Sequence, residues 1–347
     1  MNTPSISVII PTYKREAECL RAVRSVLLQT FQDFEIIVGD DFGADRTESL
    51  LLELDDSRVR YFKNGADGGS ACRNRNLCLS RANGKYVTFL DSDDFMLPIR
   101  LEKQVQALEA DRSVGFVIAG TRVVRVIKGQ YFFSHDLMPA AEGDLLDAYL
   151  KRRLRCYNTS LMVRREVLAE VGNWDHHMEP YDDAELIYRL MCHSQAARVK
   201  DIITIWFDHD GECLTNDIFK RMTGLEAFML KHRGVLENEP TWWNPRIEEL
   251  LKWFFLCSNV NGVRQWQRGV EGAVSINTKC LMWCARSNLM FRLMSWTFRR
   301  MQGIRSLLGP RARGQMLVEL VPRPHRKVIA DILKPISLET SNEKEIL

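Results

Sequence analysis

The sequence predicts an α/β protein, a mostly parallel sheet flanked by helices, followed by a mainly helical C-terminal extension. Three observations predict it. Short β-branched runs alternate with amphipathic stretches through the first 110 residues, the pattern of right-handed crossovers between parallel strands. Two of those runs end in paired acids, which a parallel sheet presents along one edge. From about Asn216 onward the pattern turns helical, with Trp242, Trp243, Trp253, Trp266, Trp283 and Trp296 spread through it.

Each element has its own signal. Ile6-Ser7-Val8-Ile9-Ile10 reads as a buried first strand, stopped by Pro11. Glu16 to Gln29 carries Leu20, Val23 and Leu27 at helical spacing, with Arg21 and Arg24 on another face. Phe34 to Val38 is the second strand and runs out at Asp40-Asp41. Thr47 to Leu54 is a second helix, and Val59 to Phe62 a third short strand. Gly68-Gly69 is a flexible turn that opens a helix through Ala82, and Asn83-Gly84 leads into the next strand. That strand, Tyr86 to Leu90, is an apolar run ending in Asp91-Ser92-Asp93-Asp94. Pro98 suits the first turn of a helix bearing Leu101, Val105 and Leu108. Gly115 to Ala119, Val123 to Ile127 and Tyr131-Phe132-Phe133 read as strands around a Lys128-Gly129 turn. Residues 155–215 carry short strands and one helix, Asp183 to Cys192. There is no internal repeat and no low-complexity block.

The acid run after the fourth strand carries chemistry. Open α/β sheets bind ligands just beyond the carboxyl ends of their strands. Carboxylates crowded there repel one another unless a cation sits between them. A hard divalent ion bridging to phosphate oxygens is one solution, and a solvated Asp-rich turn is the other. The run alone leaves both open.

Composition bounds the class. At 347 residues the chain exceeds one ordinary domain, so a main domain with an appendage is expected. Hydrophobic residues at 46% and charged residues at 27% suit a globular enzyme with a large core. Nine cysteines occur without Cys-x-x-Cys or zinc spacing, the nearest pair being Cys280 and Cys284. Cys19, Cys72, Cys78 and Cys192 fall inside apolar patterns, where a thiol is a small hydrophobe. Such usage predicts a reducing, cytoplasmic setting. Met1-Asn2-Thr3-Pro4 passes straight into a strand, which predicts no signal peptide, and no apolar run reaches spanning length. The net charge of +3 is unevenly spread. Between Arg286 and Lys327 stand ten Arg or Lys against one acid, Glu319, so the body of the chain is acidic and the tail basic. This asymmetry predicts an anionic partner for the tail. Its Trp, Met, Leu and Phe content fits either an anionic membrane surface or helices packed back on the catalytic domain, and nucleic acid is not expected as a partner.

Five collinear segments resemble family-2 glycosyltransferases of the GT-A fold, within the nucleotide-diphospho-sugar transferase superfamily. They are Ser7-Val8-Ile9-Ile10-Pro11-Thr12-Tyr13-Lys14-Arg15-Glu16; Glu35-Ile36-Ile37-Val38-Gly39-Asp40-Asp41; Gly68 to Asn74; Gly84 to Asp94; and Tyr181-Asp182-Asp183-Ala184-Glu185-Leu186. The resemblance covers roughly residues 5 to 215. It implies a GT-A domain at 1–215, with a nucleotide-sugar-binding half at 1–110 and an acceptor half at 111–215, before a helical, basic region at 216–347.

The resemblance implies an inverting transferase that moves a sugar from a UDP-sugar to a hydroxyl of a glycan or lipid-linked acceptor, with Mn²⁺ or Mg²⁺ as cofactor. Asp93 would contact the metal and ribose, Asp94 would be a second ligand, and Asp91 opens the motif. His209 resembles a late histidine that completes the metal shell, and an imidazole suits Mn²⁺ better than Ca²⁺. Tyr13 would stack on uracil, Asp41 would accept its N3 proton, and Arg15 and Arg73 would neutralise phosphates, with Pro11 shaping the same wall. Asp183 matches the general base. From the residues alone, Tyr13 is equally a half-buried turn aromatic and His209 a loop histidine. Asp41 and the Asp182, Asp183, Glu185 cluster are equally helix N-terminal acids. Departures from the family pattern are Phe42 and Gly43 where Gly and Ser are usual, Asn76 for Gly, Asp182 for Glu, and Glu185 for Asp. Two rivals remain. A nucleotidyltransferase would want glycines in the loop after strand one, which Pro11 to Arg15 lacks, and a non-catalytic scaffold would have no use for both acid clusters.

Overall fold

The computed structural model describes residues 3–257 apart from 65–69, 128–129, 140–141, 152–153, 155–157, 179 and 210–216, together with 261 and 266. The Gly68-Gly69 and Lys128-Gly129 turns, Trp283, Trp296 and the basic arm lie outside the described residues. The chain begins β1 (Ile6–Thr12), α1 (Glu16–Leu27), β2 (Phe34–Asp40), α2 (Thr47–Leu52), β3 (Val59–Lys63), α3 (Ala71–Leu79) and β4 (Tyr86–Phe89). There follow β5 (Phe95–Met96), α4 (Arg100–Ala110), β6 (Val114–Ile127), β7 (Gln130–Leu137), α5 (Leu146–Leu150), β8 (Met162–Arg164) and α6 (Arg165–Val171). Then come α7 (Asp182–His193) and β9 (Gln195–His209), and the extension supplies α8 (Ile218–Lys231), α9 (Arg233–Leu236) and α10 (Pro240–Leu256).

Among the described residues the strands form one sheet in the order β3-β2-β1-β4-β8-β6-β9-β5, with β7 on the far half of β6. The first four strands are all parallel. Beyond β4 the sheet is mixed, because β8 runs antiparallel to both β4 and β6 while β6 and β9 are parallel. β1 is buried along its whole length, as a central parallel strand must be. Its residues alternate between two layers: Val8 and Ile10 pack with Leu20 and Val23 of α1, and Ile9 packs with Cys72, Cys78 and Leu190 on the other face.

Several elements differ from the sequence expectation for identifiable reasons. β1 continues through Pro11 to Thr12. Pro11 lies beyond the last pairing of β1 with β4, Ile9 with Phe89, so on that side no ladder bond needs its missing N–H. Pro98 stands two residues ahead of α4 rather than in its first turn, and its carbonyl accepts the N–H of Thr30 at 2.8 Å. The stretches read as separate strands at 114–119 and 123–127 are one strand, irregular at Gly120. The short strands expected before residue 215 include one 15-residue strand, β9, and α6 was not expected. Cys19, Cys72 and Cys78 are buried thiols, but Cys192 is exposed.

The helical extension has its own core. Trp242, Trp243, Trp253 and Trp266 are buried with Phe228 and Leu250, and Leu150, Met178 and Tyr188 of the α/β part join the same cluster. α8 starts at Asp217, whose Oδ1 accepts the N–H groups of Phe219 (2.8 Å) and Lys220 (3.2 Å). No helix among the described residues is long and apolar enough to cross a membrane.

One close approach sets the height of α3 above the sheet. Buried Asn74 donates to the carbonyl of Gly39 at 2.8 Å and accepts from Asn64 at 2.8 Å. A Cβ at Gly39 would stand 2.0 Å from Asn74 Oδ1 and 2.5 Å from Cys78 Sγ. Gly39→Ala should therefore cost about 1–3 kcal/mol, the range for overfilling a packed site. Denaturant melts of both proteins check this, and equal midpoints would show that α3 yields freely.

Candidate active site

Parallel pairing brings three strand ends to one edge. β1 delivers Thr12 and Tyr13, β2 delivers Asp40 and Asp41, and β4 leads into Asp91 to Asp94. The Asp41 N–H donates to the Thr12 carbonyl at 3.1 Å, and the Leu90 N–H to Ile9 at 3.0 Å, which ties the exits together. β9 approaches from the other half of the sheet, because β5 pairs with it just after the acid turn, Phe95 opposite Ile205. Its last residue, His209, thereby reaches the same edge.

At the β1–β2 exit, Tyr13 is 47% exposed and meets Phe42 edge-on, their centroids 5.8 Å apart. Lys14 adopts a left-handed backbone with φ of 52°. Its ammonium lies 5.0 Å from the Tyr13 ring and 4.8 Å from that of Phe42. The two acids after β2 differ. Asp40 accepts the Tyr61 hydroxyl at 2.8 Å and the Phe42 N–H at 2.9 Å, a structural arrangement. Asp41 is buried and takes a long contact, 3.5 Å, from Asn64.

The three acids after β4 also have different surroundings. Asp91 Oδ1 accepts from Arg75 Nη2 at 2.7 Å. Asp93 Oδ2 is shared by the guanidinium of Arg15 and by His209 Nε2, the latter at 3.1 Å, while the Asp93 carbonyl accepts from Arg21 at 2.7 Å. Burial works to raise the Asp93 pKa, but the His209 hydrogen bond and the charge of Arg15 outweigh it and hold the carboxyl below its usual range. Conversely, the Asp93 hydrogen bond raises His209. Asp94 is buried: Oδ1 accepts the Phe207 N–H at 3.3 Å, and Oδ2 has no hydrogen-bond partner among the described residues. Burial, then the charges of Asp93 and Asp91, push Asp94 well above the carboxylate range.

The third acid cluster opens α7. Asp182 Oδ2 accepts from Arg75 Nη1 at 2.9 Å, and Asp183 Oδ1 accepts the Ala184 N–H at 2.6 Å. Burial and the adjacent Asp182 push Asp183 up to about 7. Glu185 behaves differently. It is fully buried, yet His232, Arg189 and Lys231 overcome desolvation and hold it down at about 2.

The structure thus gathers Arg15, Asp93 and His209 into one contact and places Asp91 one guanidinium away from the start of α7. Pro11 lies buried in β1. Arg73 does not join them. It is exposed on the first turn of α3, where its N–H is capped by Ser70, and its guanidinium makes no hydrogen bond or ion pair among the described residues. Two basic residues were missed. Arg21, read only as lying on another face of its helix, has its guanidinium 4.6 Å from the centre of the Phe207 ring. Arg75 is buried and follows Cys72 and precedes Cys78 by three residues each, so its place on the inner stripe of α3 was the available signal. Among the described residues, the one group of three metal-capable side chains with ligand atoms within 4.8 Å of each other is Asp175, His176 and His177. It lies apart from the acid turn in sequence, and Lys231 already neutralises Asp175 at 2.7 Å.

Residues 7–172 match the family described as glycosyl transferase family 2. Those residues form a family-2 glycosyltransferase domain. An uncharacterized glycosyltransferase of Rickettsia felis is 35% identical over 148 residues, which cover 40% of this chain and 24% of that protein. The GalNAc(5)-diNAcBac-PP-undecaprenol beta-1,3-glucosyltransferase of Campylobacter jejuni is 41% identical over 105 residues, 30% of this chain and 34% of that protein. The chain therefore spans about a quarter to a third of the length of these curated relatives. The crystal structure of S. aureus TarS 1-349 in complex with UDP-GlcNAc superposes with a TM-score of 0.62 at 16% identity, covering 85% of this chain and 92% of that one. The mannosyltransferase PcManGT from Pyrobaculum calidifontis, in complex with GDP-Man and Mn²⁺, superposes with a TM-score of 0.51 at 16% identity, covering 87% and 85%. At such identities the likeness shows the fold: a central sheet flanked by helices with a helical C-terminal extension.

The raised pKa of Asp183 has a consequence for stability. An unfolded chain releases this proton at about pH 4. The native carboxyl holds it to about pH 7. The native state binds more protons across that window, so it loses stability as pH rises through it. Asp183→Asn abolishes the loss and should raise Tm by several degrees at pH 8 while changing it little at pH 4. Thermal melts at the two pH values check this, and an equal change at both would contradict a raised carboxyl.

Proposed function

We propose that this protein is an inverting glycosyltransferase that moves a sugar from a UDP-sugar to a hydroxyl of a polysaccharide or lipid-linked acceptor. One observation carries the reading. Two acids of opposite character stand near one sheet edge: Asp93 is held ionised between Arg15 and His209, while Asp183, pushed up to about 7, follows Asp182, which Arg75 ties to Asp91 of the same acid turn. The first is the state needed beside a cationic donor complex, and the second that of a base working near neutral pH.

The residues present fit a divalent metal. The buried, unpartnered Asp94 Oδ2 and the Asp93–His209 pair offer hard oxygen and imidazole donors, a set suited to Mn²⁺ or Mg²⁺. Asp93, Asp94 and His209 would hold the ion, whose chemistry there is Lewis-acid stabilisation of the departing diphosphate. Tyr13 offers its exposed face to uracil, and the buried Asp41 carboxylate accepts the N3 proton. Arg15 turns from Asp93 toward phosphate oxygens. Asp183 takes the proton of the acceptor hydroxyl as that oxygen bonds to the anomeric carbon. The bond to the UDP oxygen breaks on the opposite face, so configuration inverts and UDP leaves with the bonding pair.

Similar proteins support a nucleotide-sugar donor and a lipid-linked acceptor. TarS was crystallised with UDP-GlcNAc, PcManGT was solved with GDP-Man and Mn²⁺, and the Campylobacter protein is a glucosyltransferase on an undecaprenol-linked glycan. A lipid-linked acceptor would place the enzyme at the inner face of the cytoplasmic membrane, in keeping with the basic, apolar stretch from Lys279 to Lys327.

Paired variants separate donor binding from chemistry. Asp93→Ala should abolish Mn²⁺-dependent UDP binding in calorimetry while leaving the fold intact. Asp183→Asn should retain UDP affinity and lose turnover by roughly 10²–10⁴-fold. Unchanged UDP affinity in the first variant, wild-type turnover in the second, or a product of retained anomeric configuration would each overturn its part. For the arm, truncation after Asn277 should release the protein from anionic vesicles with UDP binding retained. Full-length protein that ignores such vesicles at low salt would refute the membrane contact.

A further inference from the structure

Arg75 is a buried guanidinium whose place in the reaction is not explained by the groups that touch donor or acceptor. It projects from the inner stripe of α3, within the first third of the chain, yet it binds two acids from different elements, the turn after β4 and the start of α7. Nη2 donates to Asp91 Oδ1 at 2.7 Å and Nη1 to Asp182 Oδ2 at 2.9 Å. Its plane lies 4.5 Å over the indole of Trp174, and that ring packs edge-on against Phe89 of β4 with centroids 5.1 Å apart. The next residue reinforces the link. Asn76 donates to the Trp174 carbonyl at 2.8 Å and accepts the Trp174 N–H at 3.0 Å, clipping the segment that leads into α7. Consecutive residues of α3 therefore hold both the approach to α7 and its first acid.

We propose that Arg75 is the positioning residue of this site: its fork ties Asp182, and with it the start of α7, to the acid turn after β4, so that Asp183 is held at a set place and charge beside the donor. This rests on the reading of Asp183 as the base. A single ammonium could neutralise one carboxylate, but spanning two from different elements requires the rigid planar fork of arginine. The charged groups facing Asp183 come from three elements: Asp182 of α7, Arg75 of α3 and Asp91 after β4. The two acids raise Asp183 beyond what burial does, and Arg75 opposes them, so it moderates how strongly the base keeps its proton. Asn76 stands where the family commonly has glycine, and its two-way clip on Trp174 gives that departure a structural purpose.

The test reads the ionisation of Asp183 directly, without needing an acceptor. In ¹³C-aspartate-labelled protein the Asp183 carboxyl resonance is the one lost in Asp183→Asn, and its titration midpoint is followed by NMR. Arg75→Met should raise that midpoint by about one to three pH units, the usual effect of an opposite charge at this range. Arg75→Lys keeps the charge and should bring it back toward the wild-type value. Asp182→Asn removes the like charge and should lower the midpoint, which keeps the test decisive if Arg75→Met fails to fold. Midpoints unchanged in both Arg75→Met and Asp182→Asn would overturn the proposal, whatever happened to Tm. The two readings fail separately: if Asp183→Asn kept wild-type release of UDP from UDP-glucose with Mn²⁺ while the midpoint still followed Arg75, the base assignment alone would fall.

Discussion

Two parallel strands that deliver acids to one edge create an electrostatic problem, and much of the surrounding structure answers it. Asp41, Asp91, Asp93 and Asp94 arrive within one region, and Asp182 and Asp183 join them from α7. Carboxylates in a partly dry setting lose hydration and repel one another, so each must find a cation, accept enough hydrogen bonds, or keep its proton. All three solutions occur here. Asp93 and Asp91 take guanidinium partners, Asp40 takes a hydroxyl and an N–H, and Asp94 and Asp183 are the acids driven toward their neutral form.

The cations that solve this problem come from the helices over the sheet. Arg15 and Arg21 stand at the start and in the body of α1, Arg75 on α3, and Arg100 on α4. Arg100 is fully buried and satisfied by neutral acceptors, among them Thr88 Oγ1 at 2.8 Å, the Phe89 carbonyl at 3.0 Å and Thr204 Oγ1 at 3.0 Å. Its charge lies under the acid turn without quenching any one carboxylate, and it joins β4 to β9.

The extension takes part in the same arrangement. Glu185 of α7 is enclosed by Arg189 of its own helix, by Lys231 at 2.8 Å and by His232 at 3.1 Å from the end of α8. Arg189 also donates to the carbonyls of Val171, Gly172 and Asn173, so one buried acid anchors the helix that begins at Asp182. With Trp242 and Phe228 packed against Tyr188, α8 and α10 brace the outer face of α7. Breaking such a hub by removing one partner leaves an uncompensated buried charge, which is why its members act as a unit.

Local pattern was enough to read the alternating strands and helices of the first 110 residues, because their periodicities are set by which side chains must face the core. It also found the acid turn and the Asp182-Asp183 start of α7, since both are short, contiguous and chemically unusual. Other features were beyond it. The full reach of β9, the continuity of β6 and the mixed pairing past β4 depend on partners distant in sequence. Arg75 and Arg21 carried no assigned role until the fold set the Asp91 and Asp182 carboxylates before the first and the Asp93 carbonyl before the second. Arg73, singled out by resemblance, faces outward because α3 turns its neighbours Cys72 and Asn74 to the sheet. The sequence by itself determined which groups the site contains and the order in which they arrive. Tertiary structure alone decided which of them are charged, because ionisation depends on neighbours and burial that no local stretch of chain specifies.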